Sequence, residues 1–158
     1  ARRADLGRER ARSGEPFSIH ASLSAGQGGV TRDEAHVLVV EDNALVTSAT
    51  RILLENAGFR VSTAGSVAEA YAICEADSPD VILLDLRLPD GDGLTLLTRL
   101  RADGGREPIV AALTGRDEPE IRQRCLRAGC VDVLLKPVDI RTLAGQIRSW
   151  LDAKADAR

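Results

Sequence analysis

At 158 residues and 16.9 kDa, the chain has room for one ordinary domain plus a tail, and not comfortably for two. Hydrophobic residues at 44% and charged residues at 28% exclude wholesale disorder, and no apolar run approaches the roughly 18 to 20 residues that a membrane span needs. A net charge of −3 and a pI of about 5.4 exclude a general basic field for nucleic acid. The 3 cysteines, Cys74, Cys125 and Cys130, form no CxxC pair, so they read as small core residues in a reducing, cytoplasmic setting. The chain begins at Ala1 and holds no methionine, which reads as a piece of a longer protein whose other parts could be membrane-anchored. Of its 21 basic residues only Lys136 and Lys154 are lysine.

Residues 1–35 are Arg-rich and Gly-rich and read as an N-terminal tail or linker. Only Phe17 to Leu23 alternates like a strand, and one strand cannot stand alone. From His36 the pattern changes to short apolar runs alternating with helical segments, so 36–154 reads as one domain and 155–158 as a C-terminal tail. The runs Val37–Val40, Val81–Leu84, Ile109–Leu113 and Val131–Leu135 suit strands buried on both faces. Phe59 to Ala64 fits a fifth, more exposed strand. Between the strands, Leu45, Ala49, Ile52 and Leu53 recur at helical spacing, with Gly58 placed to end the helix. Ser66 to Glu69 forms a capping box, Asp117 to Glu120 offers a similar start, and Ile140, Leu143, Ile147 and Leu151 form the buried stripe of a last helix. Five strands alternating with five helices predict an α/β fold with a doubly wound five-stranded parallel sheet.

The chemistry sits where the strands end. Val40 runs into Glu41 and Asp42, Leu84 into Asp85, Leu113 into Thr114, and Leu135 into Lys136 and Pro137. In a parallel sheet these ends share one edge, the edge at which open α/β sheets bind ligands. Three clustered carboxylates repel one another unless a cation compensates, and Mg²⁺ suits such oxygen donors. A carboxylate can also attack phosphorus, while an ammonium and a hydroxyl neutralise and hydrogen-bond the transferring group. The set is suited to phosphoryl transfer onto a carboxylate.

Val39-Val40-Glu41-Asp42-Asn43, the segment Leu83 to Gly93, Ala112-Leu113-Thr114-Gly115 and Leu135-Lys136-Pro137 together resemble a response-regulator receiver domain of two-component signalling, over about residues 36–153. The resemblance implies the flavodoxin-like receiver fold, Asp85 as phosphoacceptor, and Thr114 and Lys136 as its catalytic partners. It further implies Mg²⁺ held by Glu41, Asp42, Asp85 and the backbone carbonyl of Arg87. Its partners would be a histidine kinase or histidine phosphotransfer domain, with a homodimer through the fourth helix, fifth strand and fifth helix as a further option. No nucleic acid or membrane contact is expected of this chain. It would catalyse its own phosphorylation and dephosphorylation and turn over no metabolite. Val133 departs from the family, which usually carries an aromatic switch residue there. That keeps a phosphorylation-independent pseudo-receiver open. A Mg²⁺-dependent phosphatase with Asp85 as nucleophile is disfavoured, because Arg87 stands where the DxD pattern requires a second Asp. Arg87 and Arg116, each two residues past a site residue, are candidates to screen the phosphoryl group. Residues 14–23 resemble the last strand of a kinase ATP-binding domain, which suggests the C-terminal receiver of a hybrid sensor histidine kinase in a phosphorelay.

Overall fold

The computed structural model describes residues 35–157. The expected tail, and the segment 14–23 compared with a kinase domain, lie outside the described residues.

Five strands form one parallel sheet in the order β2-β1-β3-β6-β7: β1 (His36–Val40), β2 (Arg60–Ala64), β3 (Val81–Asp85), β6 (Ile109–Thr114) and β7 (Asp132–Leu135). Five helices connect them: α1 (Ala44–Asn56), α2 (Val67–Ala76), α3 (Thr95–Asp103), α4 (Pro119–Ala128) and α5 (Ile140–Asp156). This is the expected doubly wound arrangement. β1, β3 and β6 are buried along their whole length, as their unbroken Val, Ile, Leu and Ala runs require. Leu38, Ile82, Leu84 and Val110 pack on one face with α2, α3 and α4, while Val37, Leu83 and Ala111 pack on the other with Leu54 of α1 and Leu143 and Ile147 of α5. Each fully buried Leu or Ile here contributes about 1.5–3 kcal/mol. α5 continues to Asp156, two residues into the stretch expected as a tail.

Two expectations need correction. Val131–Leu135 is not buried on both faces, because β7 is the last strand of the sheet. Val133 is buried, but Val131 and Leu135 are about half exposed, at 47% and 49%. In α1 the helical period is right but the phase is not. Thr50 and Leu54 face the core, whereas Leu45 is 83% exposed and Ile52 57% exposed. The helix start explains this: Asn43 Oδ1 accepts from the N–H groups of Leu45 and Val46, at 3.0 and 3.1 Å, and so fixes how α1 leaves β1. An apolar strip on α1 therefore faces solvent.

Local chemistry sets the other boundaries. Gly58, with φ of 101°, closes α1 through its N–H to the Glu55 carbonyl. Ser66 Oγ accepts from Glu69 N–H, and Glu69 reaches back to Gly65 N–H, one residue beyond the reciprocal partner that a capping box uses. A pair not anticipated is β4 (Arg87–Leu88) with β5 (Gly91–Asp92), a short antiparallel ribbon between β3 and α3. At the tip of this ribbon, Asp90 accepts from Val67 and Ala68 N–H, at 2.9 and 3.0 Å. These two N–H groups hold the Asp90 carboxyl below its ordinary pKa and cap α2 from 23 residues away.

His36 opens β1 with only 1% exposure. Its Nε2 lies 2.7 Å from Ser62 Oγ on β2, and its Nδ1 has no hydrogen-bond partner, with Asp77 3.8 Å away. Burial first, and Arg60 second, push its pKa below 6.5, against a smaller opposite pull from Asp77 and Asp80. The neutral ring is thus the form that folds. The stability it contributes is complete above pH 6.5 and is lost as pH falls from 6.5 through the folded pKa, because the unfolded chain binds the extra proton. Chemical denaturation between pH 5 and 8 is expected to show this slope, and His36→Gln is expected to flatten it. An unchanged slope in the variant would assign the titration to another group.

Candidate phosphoryl-transfer site

The register aligns the strand ends. Val40 pairs with Leu84, Asp85 with Leu113, and Thr114 with Leu135, so Glu41, Asp85, Thr114 and Lys136 emerge side by side. They line an open cleft of about 1110 Å³, joined by Asp42, Arg87 and Arg116. The cleft lies beside β1 and β3, where the strand order reverses, which is the expected ligand position of such sheets.

Lys136 organises the floor of the cleft. Its Nζ donates to Glu41 Oε1 at 2.8 Å and to Asp85 Oδ2 at 2.7 Å. Both carboxylates are buried, while the lysine is about one-third exposed. Burial alone would lower the Lys136 pKa, but the bonds to Asp85 and Glu41 outweigh it and the net shift is upward. The other oxygens are also held. Asp85 Oδ1 accepts from Arg87 N–H at 3.0 Å, and Glu41 Oε2 from Asn43 N–H at 3.0 Å. Asp42 is exposed at the mouth. Glu41, Asp42 and Asp85 each place an oxygen within 4.8 Å of the other two. A group of hard carboxylate oxygens at that separation fits a Mg²⁺ ion that keeps several waters.

Thr114 is brought to the cleft, but its hydroxyl is engaged elsewhere. Oγ1 accepts from Arg116 N–H at 3.1 Å within the loop that leads to α4. Arg116 lines the cleft, yet its Nε pairs with Glu118 Oε1 at 2.5 Å. Arg87, at the start of β4, is exposed. Every residue named from the sequence is therefore gathered in one place.

Sequence reading missed three supports of the site. Gly93 passes so close to the end of β3 that an added Cβ would lie 2.3 Å from the Asp85 carbonyl oxygen. Asp92 accepts from Leu94 N–H at 2.9 Å and pairs with Arg124 of α4 at 2.9 Å, tying the ribbon to two helices. Asn43 holds Glu41 and caps α1 at once. An acid-Gly-acid-Gly run hints at the second of these; the others depend on contacts that local pattern does not encode.

The family model for the response regulator receiver domain matches residues 37–148. The chain belongs to that family. As a receiver it is 35% identical over 115 residues to the transcriptional regulatory protein PhoP of Escherichia coli, covering 73% of this chain and 51% of that protein. It is also 35% identical over 115 residues to the probable transcriptional regulatory protein TcrX of Mycobacterium tuberculosis, covering 73% and 49%. The receiver thus spans about half the length of these curated relatives. Among solved structures it is similar to the CheY-like receiver domain protein of Methanospirillum hungatei, with 28% identity and a TM-score of 0.71 over 79% of this chain and 99% of that one. The receiver domain of the Francisella response regulator 1452 gives 26% identity and a TM-score of 0.71, over 77% and 99%.

Proposed function

We propose that this receiver is a phosphorylation switch in which Asp85 accepts a phosphoryl group from a phosphohistidine donor with Mg²⁺ bound. The observation that carries the proposal is the convergence of Asp85, Glu41, Asp42 and Lys136 in one cleft, with Lys136 Nζ 2.7 Å from Asp85. In the reaction a carboxylate oxygen of Asp85 attacks phosphorus, the phosphorus–nitrogen bond breaks, and the imidazole leaves with its electron pair. Lys136 neutralises charge on the transferred oxygens, and Thr114 turns from its loop to donate a hydrogen bond to one of them. Glu41, Asp42, Asp85 and the Arg87 carbonyl would hold the ion, which supplies charge neutralisation at the phosphoryl oxygens. The solvent-facing Leu45, Ile52 and Leu53 of α1, next to the acidic mouth, suit a docked helical donor such as a histidine kinase or phosphotransfer domain.

The surface near α4 and α5 carries the output, and a second copy of the receiver is one candidate to bind it. The resemblance of residues 14–23 to the end of an ATP-binding domain supports a place within a hybrid sensor kinase, in the cytoplasm. Among the described residues, no helix is long and apolar enough to cross a membrane. Exposure to acetyl phosphate is expected to add one phosphoryl group, seen by intact mass, only with Mg²⁺ and not in Asp85→Asn. Failure of the unmodified chain to gain mass, together with no Mg²⁺ binding by the acidic cluster, would replace this reading with a pseudo-receiver.

A further inference from the structure

β7 is an edge strand, and edge strands leave backbone groups without a neighbour. At Val133 both groups are taken by side chains. Its N–H donates to Asp132 Oδ1 at 2.8 Å, and its carbonyl accepts from Arg122 Nη2 at 3.3 Å. Arg122 Nη1 and Asp132 Oδ1 lie 3.7 Å apart, which closes the two caps into a clasp. One half of the clasp comes from α4, so it also fastens that helix to the strand.

The clasp connects back to the phosphoryl-transfer cleft through adjacent contacts. Arg122 N–H donates to the Glu118 carbonyl at 3.1 Å, the bond that opens α4. Glu118 pairs with Arg116, and Arg116 N–H donates to Thr114 Oγ1. Thr114, Arg116, Glu118, Arg122 and Val133 enclose a void of about 20 Å³ between the β6–α4 loop and β7. Val133 is small and buried, so no ring is present there to swing between cleft and surface.

We propose that Arg122 is the positioning residue that carries the state of Asp85 to the edge of β7, by holding the Val133 backbone in the unphosphorylated receiver and releasing it in the phosphorylated one. The inference rests on the phosphorylation of Asp85 proposed above. When Thr114 turns its hydroxyl to the phosphoryl group, Arg116 N–H loses its acceptor and the loop must find a new arrangement. Glu118 moves with the loop, and Arg122, one turn further along α4, moves with Glu118. The bond that yields is the longest in the series, from Arg122 to the Val133 carbonyl. Its loss frees Asp132 as well, because the pair that orients that carboxylate opens at the same time. A two-position element replaces the rotating ring, and what it uncovers is backbone N–H and C=O.

Amide hydrogen exchange of Val133, followed by NMR in the whole chain with and without acetyl phosphate and Mg²⁺, tests this, with intact mass recording phosphorylation in parallel. The expected result is Val133 exchange about tenfold faster in the phosphorylated chain, one tenfold step corresponding to about 1.4 kcal/mol of lost protection. Leu38, in the centre of the sheet, is expected to be unchanged. Arg122→Ala is expected to exchange fast at Val133 in both states, and Arg122→Lys to restore part of the protection in the unphosphorylated state. Thr114→Ala, which takes the acceptor from Arg116 N–H in either state, is expected to exchange fast at Val133 with or without phosphate. Phosphorylation with no change at Val133, or an Arg122→Ala chain as protected as the parent, would overturn the clasp and leave the switch itself intact. A chain that gains no mass and binds no Mg²⁺ would overturn both.

Discussion

A Gly93→Ala chain is expected to be destabilised by about 1–3 kcal/mol and to take up phosphate at least tenfold more slowly than the parent. The reason is local and steric. The new Cβ would stand 2.3 Å from the Asp85 carbonyl oxygen and 3.2 Å from its carbonyl carbon. Both are backbone atoms at the end of a fully buried strand, with no flexible side chain to give way. Gly93 N–H also donates to the Leu86 carbonyl at 3.0 Å, so relief by moving the ribbon breaks that bond. Either β3 or the β4–β5 ribbon must shift, and Asp85 shifts with it. Gly115→Ala is the matching control, because nothing lies within 4 Å of its added Cβ. Melting temperature and the rate of labelling by acetyl phosphate read the two effects separately. Equal behaviour of the two variants would show that the close approach of Gly93 has no consequence.

Lys136→Met is expected to remove phosphorylation almost entirely and to lower stability by about 2 kcal/mol in a chelating buffer. Removing one member of a fully buried ion pair costs roughly 3–5 kcal/mol, and the partial exposure of Lys136 brings the figure down. The variant leaves Glu41 and Asp85 buried beside each other without the ammonium that both now contact. Millimolar Mg²⁺ is expected to return much of the lost stability, because a cation bound only by the folded chain stabilises by mass action. It is not expected to return the labelling rate, since in the proposed reaction the charge of Lys136 neutralises the transferred group. Denaturant melts with Mg²⁺ and with chelator give the first half, and intact mass the second. A variant whose stability ignores Mg²⁺ would show that the carboxylates do not need a cation once the lysine is gone.

The parts of the fold that could be read from the sequence were those with a single physical solution. Val37–Val40 and Val81–Leu84 are apolar throughout, so they have no solvent face to offer and must lie inside the sheet. Once they are placed, Glu41, Asp85, Thr114 and Lys136 follow, because parallel strands put their ends together. α1 was different. Its apolar residues populate more than one face, and the choice between Leu45 with Ile52 and Thr50 with Leu54 is made by the Asn43 cap and by the sheet beneath. The exposure of Val131 and Leu135 depended on strand order, which periodicity does not encode. Asp90 on α2, Gly93 against Asp85 and Arg122 on Val133 are contacts between elements, and periodicity within one element does not encode them. The present bond of Arg116 N–H to Thr114 spans only two residues, but composition names the hydroxyl and not its donor of the moment.

The contact between Lys136 and Glu41 spans 95 residues of sequence. It requires β7 to be docked on β6, where the register sets Leu135 beside Thr114. Contacts of such separation are entropically expensive to close. On a ribosome, a chain that has emerged only as far as β6 carries Glu41, Asp42 and Asp85 but lacks the lysine that contacts two of them. Under the proposed function, chemical competence requires completion of the sheet, and a receiver made only as far as β6 is expected to draw no phosphate from its donor.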